Sequence, residues 1–364
     1  TAGGRVDSPP TLYRGLVLFG SRDGWVYCLR VADGALVWRF RAALRTLNAV
    51  AYEQVESLWP AHGSVLVSGG IAYVAAGRSS YLDGGIALYG LDPATGAVRC
   101  TARLASEHTG ALDPPPDAER GKMAAKIRQN ATDYKTFLAP DRSDAFSMRG
   151  ALTDVMSAAG GSIFMRHLRF DRGLAPQEEK RPHLFSTTSL LDSAEHHRSY
   201  LVLGTGDFSR TPVAYPWILR ASIAVPYGLV LAFDDTTVWG VHRVGRREST
   251  DHYAVFAAPR PDPARQESLL PDFATRAGKR KTAGLSWSVR LPLRPRAMIR
   301  AGGALFIGCE QGEGGALRVV SCKDGATVGT APLDAPPAWD GMATARGRLY
   351  IALRSGSVVC MGSD

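Results

Sequence analysis

The stretch that decides the fold is residues 15–38, which read Gly-Leu-Val-Leu-Phe-Gly-Ser-Arg-Asp-Gly-Trp-Val-Tyr-Cys-Leu-Arg-Val-Ala-Asp-Gly-Ala-Leu-Val-Trp. Short runs rich in Val, Leu, Tyr and Trp, which favour strands, alternate here with two tight turns. The turns end at Gly24 and Gly34, and glycine suits the positive φ that tight hairpin turns require. The stretch therefore predicts three consecutive antiparallel strands.

The same unit recurs along the chain, in clear, partial and weaker copies. These copies begin at Gly69, Ala159, Tyr227, Gly302 and Gly347. Small sheets that are apolar on both faces must stack on neighbours, as the blades of a propeller do. The predicted fold class is all-β, a β-propeller of about six to eight four-stranded antiparallel blades with a short helical insertion. The last copy lacks a closing strand like the one at Trp38, so we expect an incomplete ring, completed by the remainder of a longer propeller chain.

The domain organisation follows from where the repeat is interrupted. Residues 1–364 are expected to form a single propeller domain, since all-β propellers exceed the usual domain length. Two polar segments, 106–144 and 259–282, break the rhythm and are interpreted as insertions. The first is rich in proline and then has the apolar spacing of a helix over 117–138. Long loops of this kind often carry function.

The motif Gly-Ser-x-Asp-Gly-x-Val-Tyr-x-Leu…Asp-Gly-x-x-x-Trp at 20–38 resembles the PQQ-like repeat. Residues 92–96 and 340–351 extend the resemblance, and the whole chain is similar to the C-terminal region of large bacterial PQQ-binding-like propellers. The repeat occurs in quinoprotein alcohol dehydrogenases and in non-enzymatic scaffolds such as the outer-membrane assembly lipoprotein. The resemblance thus implies the fold and leaves the function open.

The enzymatic members of this family hold PQQ with an adjacent-cysteine ring disulfide, a Trp platform and a calcium ion. The five cysteines here include no adjacent pair, and no Glu, Asn and Asp set can be assigned to a metal. We therefore expect no cofactor, neither PQQ nor calcium, and no metal site. Cys309 and Cys322 could face each other across a hairpin, which leaves a disulfide between them open.

Two groups of polar residues in the less regular copies are predicted to bind a ligand. They are Trp59, His62, Arg78, Ser79, Ser80 and Asp83, near Tyr81, and then Arg166 with His167. Polar groups of this kind at the ends of inner strands converge on a propeller's central channel. The alternatives are a structural Arg78–Asp83 ion pair and, because 166 and 167 point to opposite faces of a strand, a simple edge-strand cation.

A third group, His197, Arg198 and Tyr200, is the candidate catalytic set. A base, a carboxylate-binding cation and an acid would suit β-elimination of an acidic sugar. The alternative is a surface loop without chemistry. Paired histidines at 196 and 197 alone lack the spacing of a known metal site.

The composition of the chain limits the classes of partner that it is expected to bind. The net charge of +9 favours anionic partners, but no nucleic-acid-binding motif and no membrane-spanning apolar run is present. The leading interpretation is a non-catalytic binding or scaffold propeller of an exported or cell-envelope protein, periplasmic or extracellular. It would engage a protein or an anionic polysaccharide at its central face. The alternatives are a polysaccharide lyase-like enzyme and, more weakly, a degenerate quinoprotein dehydrogenase.

Overall fold

A computed structural model describes residues 1–51, 53–80, 82–105, 153–166, 168–179, 181–186, 201–204, 226–243, 253–260 and 285–362. These residues fall into two compact units, the first holding residues 1–186 and Gly204, the second holding 201–203 and 226–362. The predicted helix over 117–138 and nearly all of both insertions lie outside the described residues. A single domain over 1–364 stays a prediction. Within the described part of the chain, no helix is long and apolar enough to cross a membrane.

The described residues of the first unit form strands β1 to β15. Their bounds are β1 Thr11–Tyr13, β2 Leu16–Gly20, β3 Trp25–Arg30, β4 Leu36–Arg41, β5 Asn48–Ala51, β6 Gln54–Ser57, β7 Leu66–Ser68, β8 Ile71–Ala76, β9 Ile86–Leu91, β10 Val98–Leu104, β11 Met156–Ala159, β12 Ser162–Met165, β13 Leu168–Phe170, β14 Pro176–Gln177 and β15 His183–Ser186.

Strand β16 belongs to the second unit except for its last residue, Gly204, and strands β17 to β28 belong to the second unit entirely. Their bounds are β16 Leu201–Gly204, β17 Tyr227–Gly228, β18 Val230–Phe233, β19 Thr237–Arg243, β20 Tyr253–Pro259, β21 Trp287–Leu291, β22 Arg294–Ala301, β23 Ala304–Gln311, β24 Gly314–Ser321, β25 Thr327–Leu333, β26 Pro337–Ala345, β27 Arg348–Leu353 and β28 Val358–Gly362.

The strands pair in chain order as antiparallel meanders. Four-stranded sheets are formed by β1–β4, β7–β10 and β11–β14 in the first unit, and by β18–β21 and β22–β25 in the second. The C-terminal copy gives the three-stranded sheet β26–β28. The register lines up Leu18, Cys28 and Trp38 across the first sheet, as the repeat predicts. This is an all-β, propeller-like fold built from four-stranded antiparallel sheets, and the predicted fold class is confirmed.

Both faces of these sheets are apolar, so each unit buries side chains between sheets. In the first unit Leu18 and Val74 belong to one cluster, and Tyr73 and Phe170 to another. In the second unit Val255 and Ile307 pack together. Burying such side chains is the main favourable term in folding, worth about 1.5–3 kcal/mol for each large one.

A tryptophan in the last strand of one sheet binds the turn between the last two strands of the next. In the first unit Trp38 Nε1 donates to the Pro93 carbonyl at 2.9 Å, and a Cβ on Gly96 would lie 2.8 Å from the Trp38 ring. The second unit repeats this: Trp287 Nε1 donates to the Cys322 carbonyl at 3.0 Å, and Gly325 faces the ring. The turns that end at Gly96 and Gly325 therefore each receive the tryptophan of a neighbouring sheet.

One interpretation of the cysteines is wrong. The register pairs Cys309 with Ala316, while Cys322 follows the far end of β24, next to the turn. The two cysteines consequently lie at opposite ends of the hairpin, and all five cysteines are free thiols. Burial raises the pKa of the Cys309 thiol to about 12, which keeps it protonated and unreactive.

Candidate functional site

In the first unit the candidate site forms where second strands end. Strand β2 ends at Gly20 and is followed by Arg22, and β8 ends at Ala76 and is followed by Arg78. The segment around Ala61 runs against both ends: Ala61 N donates to the Ser21 carbonyl at 3.0 Å, and Gly77 N donates to Pro60 at 3.1 Å. A Cβ on Gly20 would lie only 2.0 Å from the Ala61 carbonyl oxygen, so that position requires glycine.

At these strand ends Glu56 joins two arginines. Its two carboxylate oxygens accept from Arg22 and from Arg78, each at 2.5 Å. Arg22 also donates to Asp7, and Asp7 accepts from Arg5 at 2.5 Å. We call these five residues the Glu56 cluster. The exposed fraction is 4% for the Glu56 side chain and 8% for Arg22, but 32% for Arg78 and 33% for Arg5, so two of the three cations reach solvent.

Trp59 and His62 lie buried beside this cluster. Burial, reinforced by the charge of Arg22, lowers the pKa of His62 to about 4, against the opposing effects of Asp7, Pro60 and Glu56. Among the described residues, neither Trp59 Nε1 nor His62 Nδ1 has a hydrogen-bond partner. At neutral pH His62 is therefore an uncharged, weakly basic imidazole, a poor general base.

The remaining members of the first predicted group differ in their exposure. Ser79 and Ser80 are buried, whereas Asp83 occupies an exposed turn at φ 55°. Arg78 pairs with Glu56 instead of Asp83, so the alternative Arg78–Asp83 ion pair is wrong. Tyr81 lies outside the described residues.

A second buried polar group surrounds Asp154, which is 1% exposed. Its carboxylate accepts from Ser186 N at 2.8 Å and from Ser186 Oγ at 2.7 Å. Burial raises the pKa of Asp154 to about 6, although the hydrogen bonds from Ser186 and the charge of Arg166 favour its ionised form. We call Asp154, Arg166, His183 and Ser186 the Asp154 cluster.

His183 holds the backbone of Arg166 in place. Its Nδ1 lies 2.7 Å from the Arg181 carbonyl oxygen, its Nε2 contacts the Arg166 carbonyl oxygen, and its ring stacks on Phe164 at 4.3 Å. Arg166 itself has a φ of 53°, a strained conformation for a residue with a side chain. Burial lowers the pKa of His183. This histidine therefore supports a turn of the main chain.

Thr153 connects the two clusters. Its Oγ1 donates to the Gly77 carbonyl at 2.6 Å, and its N donates to the Arg78 carbonyl at 3.2 Å. Arg78, His62 and Arg166 are thus held in one continuous region of the first unit. His167, His197, Arg198 and Tyr200 lie outside the described residues, so their predicted roles stay predictions.

The second unit has a smaller polar arrangement at the same position of a sheet. Glu310, near the end of the second strand β23, accepts from Arg296 Nε at 2.8 Å and from its NH2 at 2.5 Å. Arg296 is 3% exposed and sits at a bulge in β22. Opposite charges are the only sign of this pair in the sequence, because the bulge that aims Arg296 is visible only in the register.

The residues present do not fit the calcium that the resemblance to quinoproteins would imply. The carboxylates of Asp7 and Glu56 are already neutralised by arginines, which repel a dication. Within the described ranges, no three His, Cys, Asp or Glu side chains are grouped to hold a metal ion. No two cysteines are adjacent in the sequence, so the ring disulfide expected beside PQQ cannot form.

Residues 22–144 match the family model described as outer membrane protein assembly factor BamB. The crystal structure of BamB from Moraxella catarrhalis superposes with a TM-score of 0.50 at 12% identity, covering 100% of this chain and 87% of that one. Quinohemoprotein alcohol dehydrogenase from Comamonas testosteroni gives a TM-score of 0.46 at 12% identity, covering 96% of this chain and 62% of that one. A search of curated proteins found no match. These findings support a PQQ-like repeat fold, and at such identities they show the fold alone.

Proposed function

We propose, from the PQQ-like β-propeller fold of this chain, that it is a non-catalytic binding and scaffold propeller of an exported or cell-envelope protein. Its partner would be a protein or an anionic polysaccharide, recognised at the strand ends that carry the Glu56 cluster. A periplasmic or extracellular location belongs to the same proposal. The matched family is described as an outer membrane assembly factor, which supports a protein partner and an envelope location.

Arg78 is the observation that carries this proposal. The cluster contains three guanidinium groups, of Arg5, Arg22 and Arg78, and two carboxylates, of Asp7 and Glu56, which leaves one excess positive charge. Arg78, at 32% of its side chain, and Arg5, at 33%, are the exposed cations, and Arg78 is the one of the two that is paired with Glu56. Because Glu56 accepts from one edge of the Arg78 guanidinium, the remaining N–H donors are preorganised for an incoming anion.

The chemistry of the cluster favours binding over catalysis. His62 is buried and its pKa is lowered to about 4, so it is neutral and a weak base at pH 7. Arg22 and Glu56 are cross-paired and buried, which holds them as a rigid framework.

The test uses two polyanions, polygalacturonate and poly-L-glutamate, with neutral dextran as the uncharged probe, followed by titration calorimetry. We expect both polyanions to bind, dextran not to bind, and Arg78→Gln to weaken binding by about tenfold, the loss of roughly one charge-assisted contact. Arg348→Gln removes an exposed arginine in the second unit and serves as the matched control. Equal affinities of wild type and Arg78→Gln would contradict the proposal.

The two enzymatic alternatives are separated by the same samples. Formation of an unsaturated product from polygalacturonate, followed by ultraviolet absorbance and abolished by His197→Ala, would replace the scaffold with a lyase-like enzyme. A rise in thermal stability with PQQ and calcium would favour a degenerate quinoprotein dehydrogenase, because a bound ligand must stabilise the folded state. We expect neither result.

A further inference from the structure

The hairpin formed by β5 and β6 is an additional element in the first unit. It lies in the chain between the four-stranded sheets β1–β4 and β7–β10, and among the described strands it pairs only with itself. Its register sets Val50 opposite Val55 and Ala49 opposite Glu56. Because side chains alternate between faces, the face that carries Glu56 points into the Glu56 cluster and Val50 and Val55 lie on the other face.

The outer face of this hairpin carries an exposed apolar pair. Val50 is 77% exposed and Val55 is 63% exposed, so a cross-strand aliphatic pair faces solvent. Strand β5 reads Asn-Ala-Val-Ala, without a charge or a proline. Exposed edge strands are normally protected by such residues because an open edge pairs with other chains. A hairpin lacking that protection is suited to accept a strand.

The two edges of the hairpin differ in access. Residues 2–5 line a concavity of about 560 Å³ together with Gln54 and Val55, so they run beside β6. No described segment pairs with the outer edge of β5. The base of the hairpin is fixed, since Ser57 N donates to the Arg22 carbonyl at 2.8 Å and Leu58 N donates to Leu47 at 3.0 Å. The open edge is therefore preorganised.

The charges next to β5 select the sequence of an added strand. Arg41 and Arg45 are exposed and precede β5 in the chain, and Arg41 is positioned by a 3.1 Å hydrogen bond to Thr46. Glu53 is the exposed acidic residue at the turn. Two cations against one anion favour an acidic partner, while the Val50–Val55 pair favours aliphatic side chains at alternate positions.

We propose that the edge of β5 binds an extended segment of a protein partner in which aliphatic and acidic residues alternate, added as a third strand to the hairpin. Main-chain hydrogen bonds would supply affinity, and the valines with Arg41 and Arg45 would supply specificity. The valine pair lies on the face of the hairpin opposite Glu56, so its contacts are separate from anion binding at Arg78.

The experiment measures binding of a fluorescent eight-residue peptide of alternating valine and glutamate by anisotropy. The expected result is saturable binding that weakens by about tenfold or more in Val50→Asp and Val55→Asp, since an apolar contact is lost and an acidic repulsion is added. Val328→Asp alters a valine of the second unit that is 62% exposed and should bind as wild type does. Arg45→Glu should also weaken binding, and it reports on charge without touching the valines.

Two further peptides test the mode of binding. The same peptide N-methylated at alternate residues cannot form the ladder and should not bind, and a valine–lysine peptide should bind more weakly because of Arg41 and Arg45. Absence of binding by the valine–glutamate peptide would overturn the proposal. So would equal binding of the lysine peptide, or equal losses in Val50→Asp and Val328→Asp.

Discussion

The two units share the way in which sheets are joined and differ in what lies at the strand ends. Trp38 in the first unit and Trp287 in the second donate to a carbonyl of the next sheet's turn at 2.9 and 3.0 Å. At the ends of second strands, the first unit carries a network around Glu56, whereas the second carries the Arg296–Glu310 pair. Sheet packing is therefore repeated, while the strand ends are free to vary and can acquire function.

The largest loss of stability is expected from substituting the tryptophans that join sheets in both units. Trp38→Ala and Trp287→Ala should each lower the free energy of unfolding by about 3–5 kcal/mol, because a large ring and its packing are lost. Trp38→Phe keeps an aromatic ring and loses the hydrogen bond to Pro93, so it should cost about 1 kcal/mol. Urea unfolding measures both. A loss below about 1 kcal/mol for either alanine variant would show that the contact does not hold the sheets together.

The next largest loss of stability should differ between the two units. Glu56→Gln leaves Arg22 and Arg78 facing a neutral group, and the loss should be about 3 kcal/mol, the low end for a broken buried ion pair, because Arg78 is 32% exposed. Glu310→Gln should cost less, because Glu310 is 26% exposed and water can replace part of the interaction. Denaturation by urea at pH 7 compares the two variants. Equal losses would mean that the Glu56 cluster is no more integral to its unit than a single pair.

The pH dependence distinguishes the two clusters of the first unit. The pKa of His62 is lowered from 6.5 to about 4, so the unfolded state binds more protons and stability from this residue rises with pH across that window. The pKa of Asp154 is raised from 3.8 to about 6, so the folded state binds more protons and stability from this residue falls as pH rises. Each contribution is about 3 kcal/mol at most.

Substitutions should expose these opposite slopes. Relative to wild type, His62→Gln should lose stability more steeply as pH rises from 4 to 6. In this variant the stability that Asp154 loses with rising pH is no longer offset by the stability that His62 gains. Asp154→Asn should show the reverse slope. Unfolding titrations across that range test both, and parallel pH profiles for the two variants would contradict the assigned shifts.

The smallest loss of stability is expected from breaking an exposed ion pair. Glu179, 65% exposed, accepts from Arg169 NH1 at 2.7 Å, and exposed pairs of this type contribute about 0–1 kcal/mol. Glu179→Gln should therefore change the midpoint of thermal unfolding very little, and added salt should remove the difference. A loss comparable to that of Glu56→Gln would mean that burial does not set the importance of these ion pairs.

The fold could be predicted because its signals are local. Strand-forming runs and turn glycines lie within the 24 residues from Gly15 to Trp38, and the structure places Gly24 and Gly34 at φ values of 82° and 71°. Even the weak copies that begin at Ala159 and Tyr227 form paired strands. Hydrophobic patterning and turn chemistry fix short strands without reference to distant residues.

The site was predicted only in part because its contacts are distant in the sequence. His62, Trp59 and Arg78 do lie together, but the residue that organises them, Glu56, is 34 residues from Arg22 and 22 from Arg78. Its hairpin had no counterpart in the repeat and gave no signal. Asp154 and Ser186 are likewise 32 residues apart. Such pairs are created by sheet packing, which single-sequence patterns do not specify.

The tryptophan contacts also define where this chain can be divided. A fragment that ends at Arg41 completes the sheet β1–β4 yet leaves Trp38 without the Pro93 carbonyl, with its indole ring turned to water. A fragment that continues to Leu104 keeps β9, β10 and the turn that receives the ring. The natural module for truncation, duplication or grafting is therefore one sheet together with the turn of its neighbour, rather than the sheet alone.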